Sequence, residues 1–269
     1  MPVKTITRHD GKRFRFGRVR PKAFGPRLSF RNYLMRAPAI TIPETCDYRL
    51  AAVNALGNMY GNDVLGDCVI AAMAHQVGVF TGGAGNEFIF TDAQIIALYS
   101  AIGGYVPGDS STDNGCDPTI AWNYWRDVGA PAGQNQITAW MAVNAADPVE
   151  YRTALYLFEN LGLGLELPDA WISPFPSASG FTWDLAGAPD PNNGHEICAA
   201  AYGMNGVIID TWGMTGLMTD KAIAYYLGSA EGGMLYTCIS PETINKARGK
   251  APNGFDFTQL TADFQALAG

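Results

Sequence analysis

The chain has 269 residues and a mass of 28.9 kDa, is 48% hydrophobic, 16% charged and 12% aromatic, and carries a net charge of −7 at pH 7. This composition excludes wholesale disorder, coiled coil and collagen, and the length supports one large or two small domains around a sizeable core. No apolar run reaches the roughly 18 residues of a membrane-spanning helix.

The N-terminal stretch MPVKTITRHDGKRF is charged and lacks an apolar h-region, so no secretory signal is read there. Five irregularly spaced cysteines in a chain this long do not make a disulfide scaffold. A cytoplasmic setting, or the interior of a viral particle, is therefore expected. The next feature in chain order is a charge split. Residues 1–36 hold eleven of the eighteen Lys/Arg and one acid, Asp10, a formal charge of +10. Residues 37–269 hold 7 positive and 24 negative charges. A basic arm (1–41) ahead of an acidic body has three readings. It lies on its own body or a homologous subunit, it binds another protein in an assembly through residues 1–36, or it neutralises phosphates of a nucleic acid. Within the arm, RFRFG and RVR alternate charge with Phe14, Phe16 and Val19, the period of a strand.

Gly66-Asp67 then leads into CVIAAMAHQVGVF, predicted as a buried helix because apolar residues occupy nearly every face. Thr91 and Gln94 form a capping box before AQIIALYSAI. Asp117-Pro118 opens a helix through TIAWNYWRDVG that stops at Gly129, and Pro148 opens another through EYRTALYLFENLG. The second half changes character. LGLGLEL, HEICAAAYGM, GVIIDTWG and GMLYTCIS are short β-rich runs, with a Pro-rich stretch at 168–191 read as a long irregular loop. A final helix starts at Asp256 as cap, with Gln259 three residues on. Helices first and strands later give an α+β class: a helical lobe (about 42–140), a β-rich lobe (about 141–269) and a cleft between them.

The chain has three histidines, so His-dependent chemistry has few candidates. His9 lies in the arm, and His75 reads as a core or partly exposed residue of the buried helix. His195 follows the turn PNNG and opens an apolar strand. Cys68 sits at the start of a helix, where the N-terminal dipole lowers a thiol pKa. A thiolate there, paired with a histidine on a facing strand, is the activated nucleophile of acyl-transfer enzymes. Asp210 in VIIDTWG would hold the imidazole from its far side. Other chemistries lack a pattern. There is no C-x-x-C, GDSSTDNGCD misses the calcium-loop spacing, and TGGAGNE lacks a phosphate-binding continuation, so neither metal nor cofactor is expected.

The flanking segments resemble the papain-like cysteine peptidase superfamily. IPETCDYR (42–49) is similar to the start of the mature papain-type domain, and Asn62-Asp63-Val64-Leu65-Gly66-Asp67-Cys68 to its nucleophile turn, with LGDC closest to the calpain form. FTDAQIIALY and DNGCDPTIAWNYWRDVGA parallel the next two family segments, GHEICAAAYGM the catalytic-histidine strand, and IIDTWG the Asn-Ser-Trp-Gly strand. The resemblance spans roughly residues 42–240 and implies a two-lobed papain-like fold. It also implies a Cys68–His195–Asp210 triad, an oxyanion donor from Asn62 beside the Cys68 backbone N–H, and Trp212 shielding the histidine.

The departures carry expectations of their own. Asn62 is one methylene shorter than the family glutamine. Glu196 stands where papain-type enzymes place a small pocket residue; lining the pocket it would favour a basic side chain, and otherwise it faces solvent. Pro118-Thr119 replaces the Gly-Gly pair that receives a peptide, and Pro118 removes a backbone donor. Cys116 has no disulfide partner, because Leu65 stands at the family's partner position. Cys46, Cys198 and Cys238 read as buried small hydrophobes. The arm is unlike the usual inhibitory propeptide. Two functions follow: a thiol hydrolase cutting a peptide or isopeptide bond in a peptide or protein substrate, or a papain-fold structural or binding component of a larger assembly, such as a phage particle, tethered by the arm.

Overall fold

The computed structural model describes residues 3–21, 28–35, 40–250 and 256–268. Lys22, Arg27 and Arg36 of the basic arm lie outside the described residues. The alternation read in the arm gives a short hairpin, β1 (Thr5–Thr7) against β2 (Arg13–Arg15), with Phe14 buried, Arg13 exposed and Arg15 half-buried. Arg18–Arg20 does not continue as a strand. A single parallel bridge ties Arg18 to Cys116 instead, because this stretch passes beside a loop rather than a sheet edge.

After α1 (Arg31–Leu34), β3 (Cys46–Asp47) and α2 (Val53–Leu56) comes the helix that organises one half of the molecule, α3 (Cys68–Gly83). Every residue from Cys68 to Phe80 is buried, as its all-round apolar sequence requires. Close approach needs glycine at one point: a Cβ on Gly78 would be driven into the Ala55 side chain of α2. The Thr91–Gln94 capping box starts α4 (Asp92–Gly103), and left-handed Gly104 ends it. Asp117 caps α5 (Pro118–Asp127), with Pro118 at its first turn. Beyond β4 (Ala139–Ala142), Asp147 caps α6 (Pro148–Phe158).

The remaining elements build the sheet: β5 (Leu161–Glu166), β6 (Phe181–Trp183), β7 (Gly194–Gly203), β8 (Gly206–Thr211) and β9 (Met214–Thr219). Then follow α7 (Asp220–Tyr226), β10 (Met234–Ile239), α8 (Pro241–Lys250) and α9 (Phe257–Ala268). The strand order is β4-β10-β5-β7-β8-β9-β6, with β3 also pairing β7; every pair is antiparallel except β6 with β9. The Pro-rich stretch is therefore not wholly irregular, since Phe181–Trp183 adds a strand to the sheet edge and Trp183 stacks on Trp171.

Two clusters of buried side chains divide the interior. One gathers the faces of α3, α4 and α5 with Tyr236 and Cys238 of β10; the other gathers β5, β7, β8 and the helices over them. Helix α3 packs lengthwise on β7. That contact brings the start of the helix, Cys68, beside the backbone of Glu196, the residue after His195 in β7. Among the described residues no helix is long and apolar enough to cross a membrane.

Candidate active site

The turn before α3 is held from three sides. Asp113 Oδ1 accepts the Gly66 backbone N–H at 2.9 Å and the Tyr99 hydroxyl at 2.7 Å, and the Tyr99 oxygen in turn accepts the Gly115 N–H at 2.8 Å. Asp113 Oδ2 lies 2.8 Å from Arg15 Nη1 of the arm. Cys68 is buried, and the backbone N–H groups of Glu196 and Gly17 lie on the side of its sulfur, where they favour the thiolate. Burial pushes this thiol up to about 12, outweighing both N–H groups.

The amide expected to receive an oxyanion is committed elsewhere. Asn62 Nδ2 donates to the Leu65 carbonyl at 3.0 Å and to Asp67 Oδ1 at 3.3 Å, which uses both of its N–H bonds. The short side chain folds back into its own turn, so the oxyanion role given to Asn62 is corrected. Of the first-turn N–H groups of α3, those of Ile70 and Ala71 donate to the Asp67 carbonyl, and those of Cys68 and Val69 have no acceptor within the helix.

His195 opens β7 and is buried. Its Nε2 lies 2.7 Å from Thr211 Oγ1, its ring stacks on Trp212 at 4.0 Å and 15°, and Phe16 meets it edge-on at 5.7 Å. Trp212 takes this position from a left-handed backbone, φ 52°, at the turn after β8. His195 Nδ1 has no hydrogen-bond partner. Burial, and secondarily His75, lower this histidine to about 3. Thiol and imidazole are therefore both neutral in this arrangement.

Asp210 does not orient His195. Successive residues of a strand face opposite sides of the sheet, so Thr211 faces His195 while Asp210 faces α3. There Asp210 Oδ1 lies 3.3 Å from His75 Nδ1, and His75 Nε2 lies 2.9 Å from the Asn58 carbonyl. A carbonyl only accepts, so Nε2 carries the ring proton and Nδ1 accepts. Burial raises the Asp210 carboxyl well above its ordinary range and lowers His75 to about 4, so burial disfavours the charged form of both partners. The side chain beside His195 is thus Thr211 and not Asp210, which the sequence reading places there, and His75, buried as read, faces Asp210.

The cleft between α3 and β7 is filled by the chain's own arm. Arg15 N–H donates to the Asn62 carbonyl at 3.0 Å, Arg18 N–H to the Gly194 carbonyl at 3.1 Å, and Val19 N–H to the Cys116 carbonyl at 3.0 Å. Cys116 N–H donates to the Gly17 carbonyl at 2.8 Å. Charges of the arm meet charges of the body: Arg20 pairs with Glu166, and Lys4 reaches Asn193 and Asp190. What is left of the cleft is a cavity of about 620 Å³ between Gly17–Arg20 and a wall that includes Asn114, Glu166 and Gly194.

Two further expectations change here. Glu196 does not face solvent; its side chain is fully buried, its Oε2 3.5 Å from Arg18 Nε and its carboxyl beside Tyr236. Burial raises it to about 7 while Arg18 opposes the rise. Pro118 and Thr119 do not receive the extended segment either. They form the first turn of α5 under the Asp117 cap, and Cys116, which keeps its N–H, makes the pairing two residues earlier. Cys116, Cys198 and Cys238 are buried free thiols, and Cys46 is half-buried. Among the described residues no group of three His, Cys, Asp or Glu is placed to hold a metal.

Thr211, Arg18 and the glycines around Gly17 escaped the sequence reading. One signal was available: a lone acid, Glu196, inside an apolar strand requires a cation or a hydrogen-bonding partner.

No protein-family model matches the sequence, and no curated protein matches it. Solved structures do. Xylellain, a cysteine protease from Xylella fastidiosa, is 15% identical with a TM-score of 0.61, over 84% of this chain and 96% of that one. Digestive procathepsin L2 from the larval midgut of Tenebrio molitor is 12% identical with a TM-score of 0.59, over 84% and 78%. Procathepsin L 3 from the same source is 14% identical with a TM-score of 0.57, over 82% and 76%. The chain has the α+β fold of papain-like cysteine proteases.

Proposed function

We propose that the chain is a papain-like thiol hydrolase that cuts a peptide or isopeptide bond through Cys68 and His195 and is closed by its own N-terminal arm. The observation that carries this reading is the meeting of Cys68, first residue of a buried helix, with the start of β7, where Thr211 and Trp212 fix the His195 ring and leave Nδ1 unpartnered. Attack needs a carbonyl carbon about 3–3.5 Å from sulfur. Here the thiol meets the N–H of Gly17, so the arm covers the nucleophile without offering it a bond to cut.

With the arm out of the cleft, water and substrate dipoles reach both groups, and the burial that keeps them neutral is relieved. His195 Nδ1 then takes the thiol proton, the thiolate adds to the carbonyl carbon, and the N–H groups at the start of α3 receive the oxyanion. Imidazolium gives its proton to the leaving amine, and water, deprotonated by His195, releases the acyl group from sulfur. Thr211 holds the ring throughout. A second reading, a binding component without hydrolysis, draws on the committed Asn62 amide and on the turning of Asp210 away from His195.

Alkylation rates of the five cysteines from pH 4 to 9, mapped by peptide mass, test the first reading in the full chain and in Lys4→Ala/Arg15→Ala, which loosens the arm. Faster labelling of Cys68 in the loosened chain, lost on adding His195→Ala, is the expected result. Labelling no faster than an ordinary thiol of pKa about 8.5 in the loosened chain would leave only the binding component.

A further inference from the structure

The seat of Arg18 is built by the body, not by the arm. Gly164 lies directly across β5–β7 from Glu196, and a Cβ there would strike both the Arg18 guanidinium and the Glu196 carboxylate. A Cβ on Gly194 would strike the Arg18 carbonyl, and one on Gly115 would strike Gly17. Gly66 walls the other side, so close that a side chain on Gly17 itself would enter its carbonyl. Four body glycines thus form a narrow passage one residue from Cys68, and its floor opens into a chamber ending on a buried acid.

The chamber holds Arg18 with few bonds. Nη2 donates to the Gly232 carbonyl at 3.0 Å; Nε lies 3.5 Å from Glu196 Oε2 as an ion pair without a hydrogen bond, and Nη1 and both Glu196 oxygens have no hydrogen-bond partner. Burying a guanidinium is costly unless its donors are matched, and an apolar side chain would plug a cleft as well. A plug with no other purpose has no need of arginine here. A pocket that receives arginines does.

We propose that Glu196 is the specificity-determining residue of the cleft, and that Arg18 occupies from within the chain the subsite for an arginine side chain of the substrate, a peptide with arginine next to a glycine. That this occupant is a substrate rests on the hydrolase reading above; that the subsite binds a guanidinium does not. Glu196 supplies the carboxyl, whose ionised form a guanidinium favours against burial, the Gly232 carbonyl a second acceptor, and the glycine passage excludes a side chain at the neighbouring position.

The test uses the full chain as Arg18→Ala, which empties the chamber, with propylguanidinium as probe and neutral propylurea as control. At about ten times its Kd the guanidinium raises the Tm of Arg18→Ala by roughly 2–3 °C. Propylurea leaves it unchanged, and Arg18→Ala/Glu196→Gln responds to neither. No shift, or an equal shift in the double variant, overturns the subsite. Should Arg18→Ala not fold, Lys4→Ala/Arg15→Ala keeps Arg18 and the seat. A peptide of residues 13–20 then protects Cys68 from alkylation at least tenfold better than the same peptide with citrulline at position 18, and Glu196→Gln removes the difference. Equal protection overturns the proposal. Guanidinium binding without His195-dependent labelling of Cys68 would retain the subsite and refute the hydrolase; the converse would retain the hydrolase and refute the subsite.

Discussion

Gly17→Ala isolates the closure of the cleft. The new methyl group would enter the Gly66 carbonyl, which is backbone of the nucleophile turn and cannot swing aside as a flexible side chain would. The arm therefore has to leave its passage. It then gives up four backbone hydrogen bonds, between Arg15 and Asn62, Gly17 and Cys116, Arg18 and Gly194, and Val19 and Cys116. At about 1 kcal/mol net for each, closure weakens by up to about 4 kcal/mol. With 1.4 kcal/mol per factor of ten, the open fraction rises by at most roughly a thousandfold. Iodoacetamide labelling of Cys68, followed by peptide mass mapping, reads this directly, because closed Cys68 is buried and its thiol is held well above the ordinary range. Gly203→Ala is the control, since a Cβ at that position meets nothing within 4 Å. Labelling accelerated by two to three orders of magnitude over wild type and control is expected. Equal rates in all three chains, with unchanged circular dichroism, would refute the reasoning that the arm seals the thiol.

Three more outcomes are expected. In the Gly17→Ala chain, Thr211→Ala leaves His195 Nε2 buried without a partner, a loss of about 1–3 kcal/mol that slows His195-dependent labelling tenfold or more. Asp210→Asn lowers stability and spares the labelling; the reverse pattern would place Asp210, not Thr211, on the histidine. His195 titrates near 3 in the folded chain against about 6.5 unfolded, so between these values the unfolded state binds more protons and stability falls with falling pH. Urea melts should show wild type losing ground to His195→Gln by about 1.4 kcal/mol per pH unit below pH 6.5, and parallel profiles would argue against a buried neutral ring. Asp113→Ala strands the Gly66 N–H and the Tyr99 hydroxyl and frees Arg15, at a cost of about 2–4 kcal/mol by urea denaturation with faster Cys68 labelling; a change under 0.5 kcal/mol would mean that the turn holds without it.

The order of elements, the helix starts at Thr91, Asp117 and Pro148, and the placing of a cysteine first on a helix and a histidine first on a strand lie in the sequence itself. Each is a local signal: a cap within three residues, a period of two or of 3.6, a glycine or proline at a boundary. They need no knowledge of what packs against them. Cys68 at a helix start and His195 at a strand start could be placed on that basis.

Only the tertiary structure decided the rest. Whether Thr211 or Asp210 meets His195 depends on which face of β8 turns toward the cleft, and a shift of one residue exchanges the two. The identity of both residues is legible, but not that facing. Asn62 looked like a donor by position, yet its amide is consumed by a carbonyl and a carboxylate of its own turn, which the path of that loop decides. The arm was legible as a charge and not as an occupant. Its anchors at Asn62, Cys116 and Gly194 are distant in sequence, and pairings of that kind leave no periodicity to read. Glu196 shows the division most plainly. Its letter announced an acid in an apolar strand, but burial, the space cleared by Gly164 and the approach of Arg18 from the far end of the chain are what turn that acid into the floor of a pocket.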